Sequence, residues 1–311
     1  MLARLLRAIV ASLFVVVAAG TLCASARAAV PGAGTGVPSL SALPHGIDRS
    51  QVMKPMGYGG VPVYDSIIVN SQGETSSDIV SLGFECCTTK EFGDGLVLTT
   101  GGGRLKSIEM ILVSYACQNG LYFTSCQSAP HATFNWPITI NVYGLTGFPS
   151  GTPGVGPLLA TRTQTVAVKY RPSANPAKCG PTGQFLGLVD KQCDYGLAVP
   201  IAFDFVPYNV TLPAYTIVSV AFNTSDAGYN PVGDNTPCYT QSSGCPYDWI
   251  YVSAFGNGGR DTGIGSAVAG NGVFDNFANP YYSCTGTGSG FEFDNGCWGG
   301  AHPEIEVMTQ T

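Results

Sequence analysis

The chain has 311 residues, 45% hydrophobic and only 11% charged, with 41 glycines, 21 prolines and 11 cysteines. That length supports a sizeable core, and the glycine and proline content, high but short of low complexity, fits turn-rich β architecture. A formal net charge of −6 excludes the basic surface that a binder of phosphate backbones needs.

Arg4 and Arg7 precede an apolar run from Ala8 to Leu22, and Ala24-Ser25-Ala26 and Ala26-Arg27-Ala28 both offer small-x-small cleavage sites. This is the pattern of a secretory signal peptide over residues 1–28. The apolar run is short for a spanning helix, and the two arginines are not adjacent, as the twin-arginine route requires. Leu22 is bulky where lipoprotein processing at Cys23 would want a small residue. The expectation is a secreted, extracellular chain with no stable membrane anchor. Cleavage would remove three basic residues and no acidic one, leaving 11 basic against 20 acidic and a charge of −9. No Lys or Arg follows Arg260, whereas six acids do. Nucleic acid is therefore not an expected partner, and the acid excess reads first as solubility.

Ten cysteines remain after cleavage, an even number in an oxidising compartment. Short spacings suggest local staples, Cys117–Cys126, Cys179–Cys193, Cys238–Cys245 and Cys284–Cys297, although spacing does not prove connectivity. Cys86 and Cys87 are left over and adjacent; they form either a vicinal bridge or bonds elsewhere, for instance into the Cys238 and Cys245 pair. The absence of paired C-x-x-C knuckles argues against zinc, and no metal ligand is assigned.

In chain order, residues 29–60 are rich in Pro, Gly, Ser and Ala and read as a flexible leader that carries His45. From residue 61 to 311 the pattern is of many short apolar runs between Gly, Pro, Asn and Asp. The expected strands include Val63–Val69, Leu82–Cys86, Gly95–Thr100, Leu105–Tyr115, Thr133–Tyr143, Leu158–Val168, Val199–Val206, Tyr215–Asn223, Trp249–Ala254 and Glu304–Met308. Thr133–Tyr143 alternates cleanly, with Phe134, Trp136, Ile138, Ile140 and Val142 on one face and Thr133, Asn135, Thr139, Asn141 and Tyr143 on the other, the mark of a strand buried on one side. Pro137 inside that run predicts an edge or a bend. Gly101-Gly102-Gly103 predicts a tight reversal between two strands. No helical periodicity and no fixed-period repeat is visible. The fold class expected is all-β, a single antiparallel two-sheet sandwich of jelly-roll type with long disulfide-stapled loops.

The search for chemistry is mostly negative. There is no G-x-S-x-G, H-E-x-x-H, P-loop or dinucleotide fingerprint, and His131 and His302 read as surface or hydrogen-bonded residues. No catalytic residue is assigned. Glu304 and Glu306, spaced i, i+2, share a strand face about 6–7 Å apart, as Glu292 and Asp294 do, and paired carboxylates serve glycoside hydrolysis when they line a cleft. The plainer reading puts both pairs on solvent-facing edges. No cofactor is expected, although Asp226–Asn230, Asp234-Asn235 and the Gly256–Gly265 loop with Asp261 offer oxygen donors for a structural calcium. The aromatic residues Tyr247, Trp249, Tyr281, Tyr282 and Trp298 stand in polar, glycine-rich sequence. Rings placed so can stack on sugar faces, or else they cover the ends of the sandwich.

Several runs resemble a family of secreted bacterial β-sandwich proteins of unknown function: Tyr64-Asp65-Ser66-Ile67, Ser81-Leu82-Gly83-Phe84, Glu91-Phe92-Gly93-Asp94, Pro137-Ile138-Thr139-Ile140-Asn141-Val142-Tyr143, Tyr170-Arg171-Pro172-Ser173-Ala174 and Gly296-Cys297-Trp298. The resemblance spans about residues 64–308. It implies an extracellular β-sandwich with disulfides at the Cys117, Cys179 and Cys284 loops, and it brings no activity or catalytic residues. The Cys86-Cys87 pair departs from it. Some relatives are anchored, whereas the end Met308-Thr-Gln-Thr has no hydrophobic tail, so release is expected. The functional expectation is a non-enzymatic protein binding an extracellular glycan or surface component. The alternatives are a jelly-roll glycoside hydrolase and a structural protein of the cell exterior.

Overall fold

The computed structural model describes residues 46–50, 52, 59–67, 79–83, 89–120, 124–222, 250–255, 263–268, 273–276, 290–293 and 302–310. Its centre is one very long strand, β4 (Thr89–Ser114), with β1 (Ile47–Asp48), β2 (Val61–Asp65) and β3 (Ile79–Gly83) before it. After it come β5 (Thr133–Thr146), β6 (Gly154–Lys169), β7 (Phe185–Leu186), β8 (Cys193–Asp194), β9 (Gly196–Asp204) and β10 (Thr211–Phe222). The remaining strands are β11 (Ile250–Phe255), β12 (Ser266–Ala267), β13 (Val273–Asn276), β14 (Gly290–Phe293), β15 (His302–Pro303) and β16 (Ile305–Thr309). The helical content among the described residues is short, including one turn at Pro176–Cys179. The all-β expectation therefore holds.

Fourteen strands form one sheet, and β7 and β8 a separate pair. Strand β4 serves two sets of neighbours. Its first half lies between β10 on one side and β12 and β13 on the other; its second half lies between β9 on one side and β11 and β16 on the other. The sheet continues from β10 through β5 to β6. All these pairs are antiparallel, but β1 runs parallel to β9, so the sheet is mixed rather than antiparallel throughout. The two residues of β1 come from the end of the segment expected to be leader, and Ile47, Asp48, Arg49 and Val52 are all buried. Ile47 and Val52 pack with Ile111, Val113, Tyr115 and Ala198. All described residues belong to one compact unit, Leu43–Thr311.

Gly101-Gly102-Gly103 does not reverse the chain. All three have positive φ, yet β4 runs through them and pairing with β10 continues at Pro213↔Gly102 and Leu212↔Gly103, with an irregularity between Pro213 and Tyr215. A Cβ on Gly102 would stand 2.0 Å from the Leu212 carbonyl oxygen. The glycines thus bend a single strand against a close neighbour, a role that the same freedom of φ also permits.

The alternation of β5 is as expected: Phe134, Trp136, Ile138, Ile140 and Val142 are buried, while Thr139, Asn141 and Tyr143 are half-buried on the opposite face. Pro137 lies one residue beyond the last β10 partner, Ile138↔Phe222, while on its other side it faces Thr165 of β6. With no N–H to donate, proline fits where the ladder to β10 has ended.

Two of the expected staples are formed, Cys117–Cys126 and Cys179–Cys193. The cysteines at 86, 87, 238, 245, 284 and 297 lie outside the described residues. Closing a loop of nine residues of separation restricts the unfolded chain by about 2–3 kcal/mol. The Cys117→Ser/Cys126→Ser double variant is therefore expected to lose about that much unfolding free energy in urea titration. A loss below about 1 kcal/mol would show that hydrogen bonds such as Arg171 N–H to the Ala116 carbonyl hold the loop unaided.

Candidate functional site

The outer face of the β4–β10–β5–β6 ladder gathers polar side chains around one carboxylate. Register places Glu91, Ala221, Thr139 and Thr163 in one row and Gly93, Ser219, Asn141 and Thr161 in the next. The period of two puts all of them on the face opposite Phe92, Ile140 and Val220. Glu91 Oε1 accepts hydrogen bonds from Asn141 Nδ2 and Tyr143 Oη, both at 2.9 Å, and from Ser219 Oγ. Among the described residues Oε2 has no such partner. Thr139 and Thr163 share a 2.7 Å hydroxyl hydrogen bond, and Thr161, Thr163 and Thr165 on β6 are exposed. At the far end of the cluster the Phe293 ring and Leu145 lie against Gly95, 3.0 Å from where a Cβ would be. The result is a half-open face of hydroxyls, an amide and a carboxylate, with an aromatic ring at its border.

The other ionisable residues of interest are buried. His302 Nδ1 is 2.8 Å from Asp94 Oδ2, with Asp94 wholly inaccessible and His302 7% exposed. Burial pushes the Asp94 carboxyl above its ordinary range, against the opposing pull of His302. For His302, burial alone would lower the imidazole, but the hydrogen bond and charge of Asp94 outweigh it, and the net direction is upward. Burial, then the Asp94 charge, raises the Tyr64 phenol well above its usual value. Among the described residues, Tyr64 Oη and Asp94 Oδ1 have no hydrogen-bond partner.

Glu304, expected at a solvent-facing edge, is completely buried. Its carboxylate takes a two-pronged contact from Arg49, Nη2 to Oε1 at 2.7 Å and Nη1 to Oε2 at 2.8 Å, and accepts Ser253 Oγ at 2.6 Å. Glu306, only 4% exposed, stands opposite Glu109 of β4. Neither carboxylate is open to a substrate: Glu304 is enclosed by Arg49 and Ser253, and Glu306 is buried on β16, which is paired on both sides by β2 and β4. For Glu292 the backbone pairs with Phe274, and Asp294 lies outside the described residues. His131 is exposed, with φ +63°.

Tyr247, Trp249, Tyr281, Tyr282 and Trp298, the sequence-based candidates for ligand contact, all lie outside the described residues. So do His45 and the calcium candidates at 226–235 and 256–262. No helix among the described residues is long and apolar enough to cross a membrane. The Glu91 cluster was missed in the sequence, although Thr139, Asn141 and Tyr143 were already visible as one strand face; what was absent was the register that brings Glu91 and Ser219 to them. Comparison with family models, with curated proteins and with solved structures gave no match.

Proposed function

We propose that this chain is a secreted, non-enzymatic β-sandwich of jelly-roll type that binds an extracellular glycan through the outer face centred on Glu91. The observation that carries the reading is the Glu91 carboxylate, fixed on one oxygen by Asn141, Tyr143 and Ser219 and with no partner for the other among the described residues. Sugars present vicinal hydroxyls, and a pre-positioned carboxylate with neighbouring hydroxyl and amide groups meets them without reorganisation. Phe293 adds apolar area at the border of the same face. The signal-peptide pattern and the resemblance to secreted bacterial β-sandwich proteins favour an extracellular ligand. The loop aromatics Tyr282 and Trp298 are a second contact region in this reading. Burial of Glu304 and Glu306 weighs against a hydrolase built on that pair.

A glycan array tests it. Wild-type protein should bind at least one glycan class, and Glu91→Gln, which keeps shape but removes charge, should weaken that binding about tenfold or more, the worth of one hydrogen bond to a charged group. Absence of binding above background, or binding indifferent to Glu91→Gln, would overturn the reading. Loss only in Trp298→Ala and Tyr282→Ala would move the site to the loops.

A further inference from the structure

The hairpin formed by β7 and β8, a sheet separate from the one that carries the Glu91 face, holds a second group of acids. Phe185 pairs with Asp194 and Leu186 with Cys193, and Gly187 N–H closes the loop on the Gln192 carbonyl at 2.7 Å. The Cys179–Cys193 disulfide ties its base. Asp190 stands in this loop, Asp194 at its end, and Asp48 of β1 beside it, its Oδ2 accepting Leu188 N–H at 3.2 Å.

Asp194 is the anomaly. Its relative exposure is 0%, yet among the described residues neither carboxylate oxygen has a hydrogen-bond partner, and Asp190 Oδ2 is likewise buried without one. A buried carboxylate with both oxygens unpartnered is strongly disfavoured unless something cationic or a proton meets it. Asp190 and Asp194 both close over Gly187. A methyl placed there would stand 2.1 Å from Asp190 Oδ1 and 2.7 Å from Asp194 Oδ2, so the two carboxylates lie near one another where any side chain at 187 would clash. On the other side, Asp194 Oδ1 would lie 2.9 Å from a Cβ on Gly46.

The described cations nearby, Lys191 and Arg171, hold backbone carbonyls. Lys191 turns its ammonium to the Leu188 carbonyl. Arg171 directs Nη2 to the Gly183 carbonyl at 2.6 Å and Nε to the Pro172 carbonyl at 3.0 Å, with its guanidinium 4.9 Å from the Phe185 ring centre. Three carboxylates thus stand near two cations, Lys191 and Arg171, a local excess of negative charge.

The geometry points to a divalent-cation site, of calcium type, formed by Asp190 and Asp194 with Asp48 supplying further negative charge. Among the described residues no three metal-binding side chains gather round one point, so the side-chain donors are two and the remaining positions fall to backbone carbonyls and water. Calcium accepts such irregular all-oxygen shells, whereas magnesium demands a near-octahedral one. Asp48 and Asp190 already orient their oxygens through backbone N–H donors, Ser50 to Asp48 Oδ1 at 2.8 Å and Gln192 to Asp190 Oδ1 at 3.0 Å. A bound ion would join β1 to the hairpin.

The purified full chain, freed of divalent ions by chelation, is titrated with CaCl2 and with MgCl2 while its melting temperature is followed at pH 7.5. The expected Kd is on the order of 10⁻⁴ M, typical of extracellular modules, and a hundredfold excess of calcium should raise Tm by about 5–10 °C. Magnesium should do much less. Asp190→Asn preserves the turn hydrogen bond but removes the charge, and should weaken the calcium response about tenfold. Asp194→Asn should abolish it while melting higher than wild type in the absence of calcium, because one buried charge is gone. Glu91→Gln should respond to calcium as wild type does, which separates this site from the glycan face. No calcium shift in the wild type would overturn the assignment and leave Asp194 as a buried neutral acid. So would a shift unaltered in both aspartate variants, or an equal response to magnesium.

Discussion

Arg49→Met should cost about 3–5 kcal/mol of folding free energy, because it strands the Glu304 carboxylate in a site with no access to water. In thermal melts this corresponds to a fall in Tm of roughly 10 °C for a unit of this size. The contact differs from a surface ion pair, whose removal costs about 0–1 kcal/mol: Arg49 and Glu304 side chains are 3% and 0% exposed, and both prongs of the guanidinium are engaged. The second half of the expectation is the more diagnostic. Arg49→Met/Glu304→Leu removes both charges and should recover most of the loss, since a buried pair is expensive to break and cheap to replace as a whole. If the double variant were less stable than Arg49→Met by the full additive amount, the two residues would be acting independently and the ion pair would not be their main role. Equilibrium urea unfolding of the four proteins of the cycle gives the answer directly.

Stability should also fall as pH rises above about 6.5, the ordinary imidazole value, and His302→Gln should flatten that fall. The folded His302 holds its proton more tightly than the unfolded one, its upward shift being the net of burial against the bond and charge of Asp94. A group raised on folding contributes fully below its unfolded value and loses that contribution as pH climbs through its folded value. Asp94, raised by burial, has the same sign, as does Tyr64, raised by burial and then by the charge of Asp94. Each proton lost from the pair contributes a slope of at most about 1.4 kcal/mol per pH unit. Asp194, at about 7, contributes in the same direction but mainly between its ordinary value and neutrality. The contribution of His302 is therefore lost between its ordinary value and its raised one, and the wild type should lose more stability than His302→Gln as pH climbs through that range. Equal pH dependence in the two proteins would overturn the assignment.

Much of this architecture was legible because it is written in short-range signals. The alternation from Thr133 to Tyr143 gave β5 and its buried face, and the spacings of Cys117 to Cys126 and Cys179 to Cys193 gave two bridges. The rest depends on which strand lies beside which. A run such as Gly101-Gly102-Gly103 permits both a reversal and a bend, and only the neighbouring β10 backbone decides for the bend. Glu304 looked like a surface acid because its partner, Arg49, is 255 residues away, beyond any window of periodicity. His302 and Asp94, separated by 208 residues, escaped for the same reason. The acids of the hairpin were overlooked because Asp190 and Asp194 fall in turn sequence between two cysteines, where loops rich in aspartate are ordinary; Asp48 joins them only through the parallel pairing of β1 with β9.

Strand β16 comes last among the described strands, yet it is hydrogen-bonded both to β2, with Val61 opposite Thr309, and to β4. Residues 248 positions apart therefore meet across one ladder. A nascent chain cannot close this part of the sheet until residue 309 has been delivered, so β2 waits for its partner while the strands between them are made. Until then the edge of β2 is a template for any other strand, and the pace of synthesis sets how long that hazard lasts.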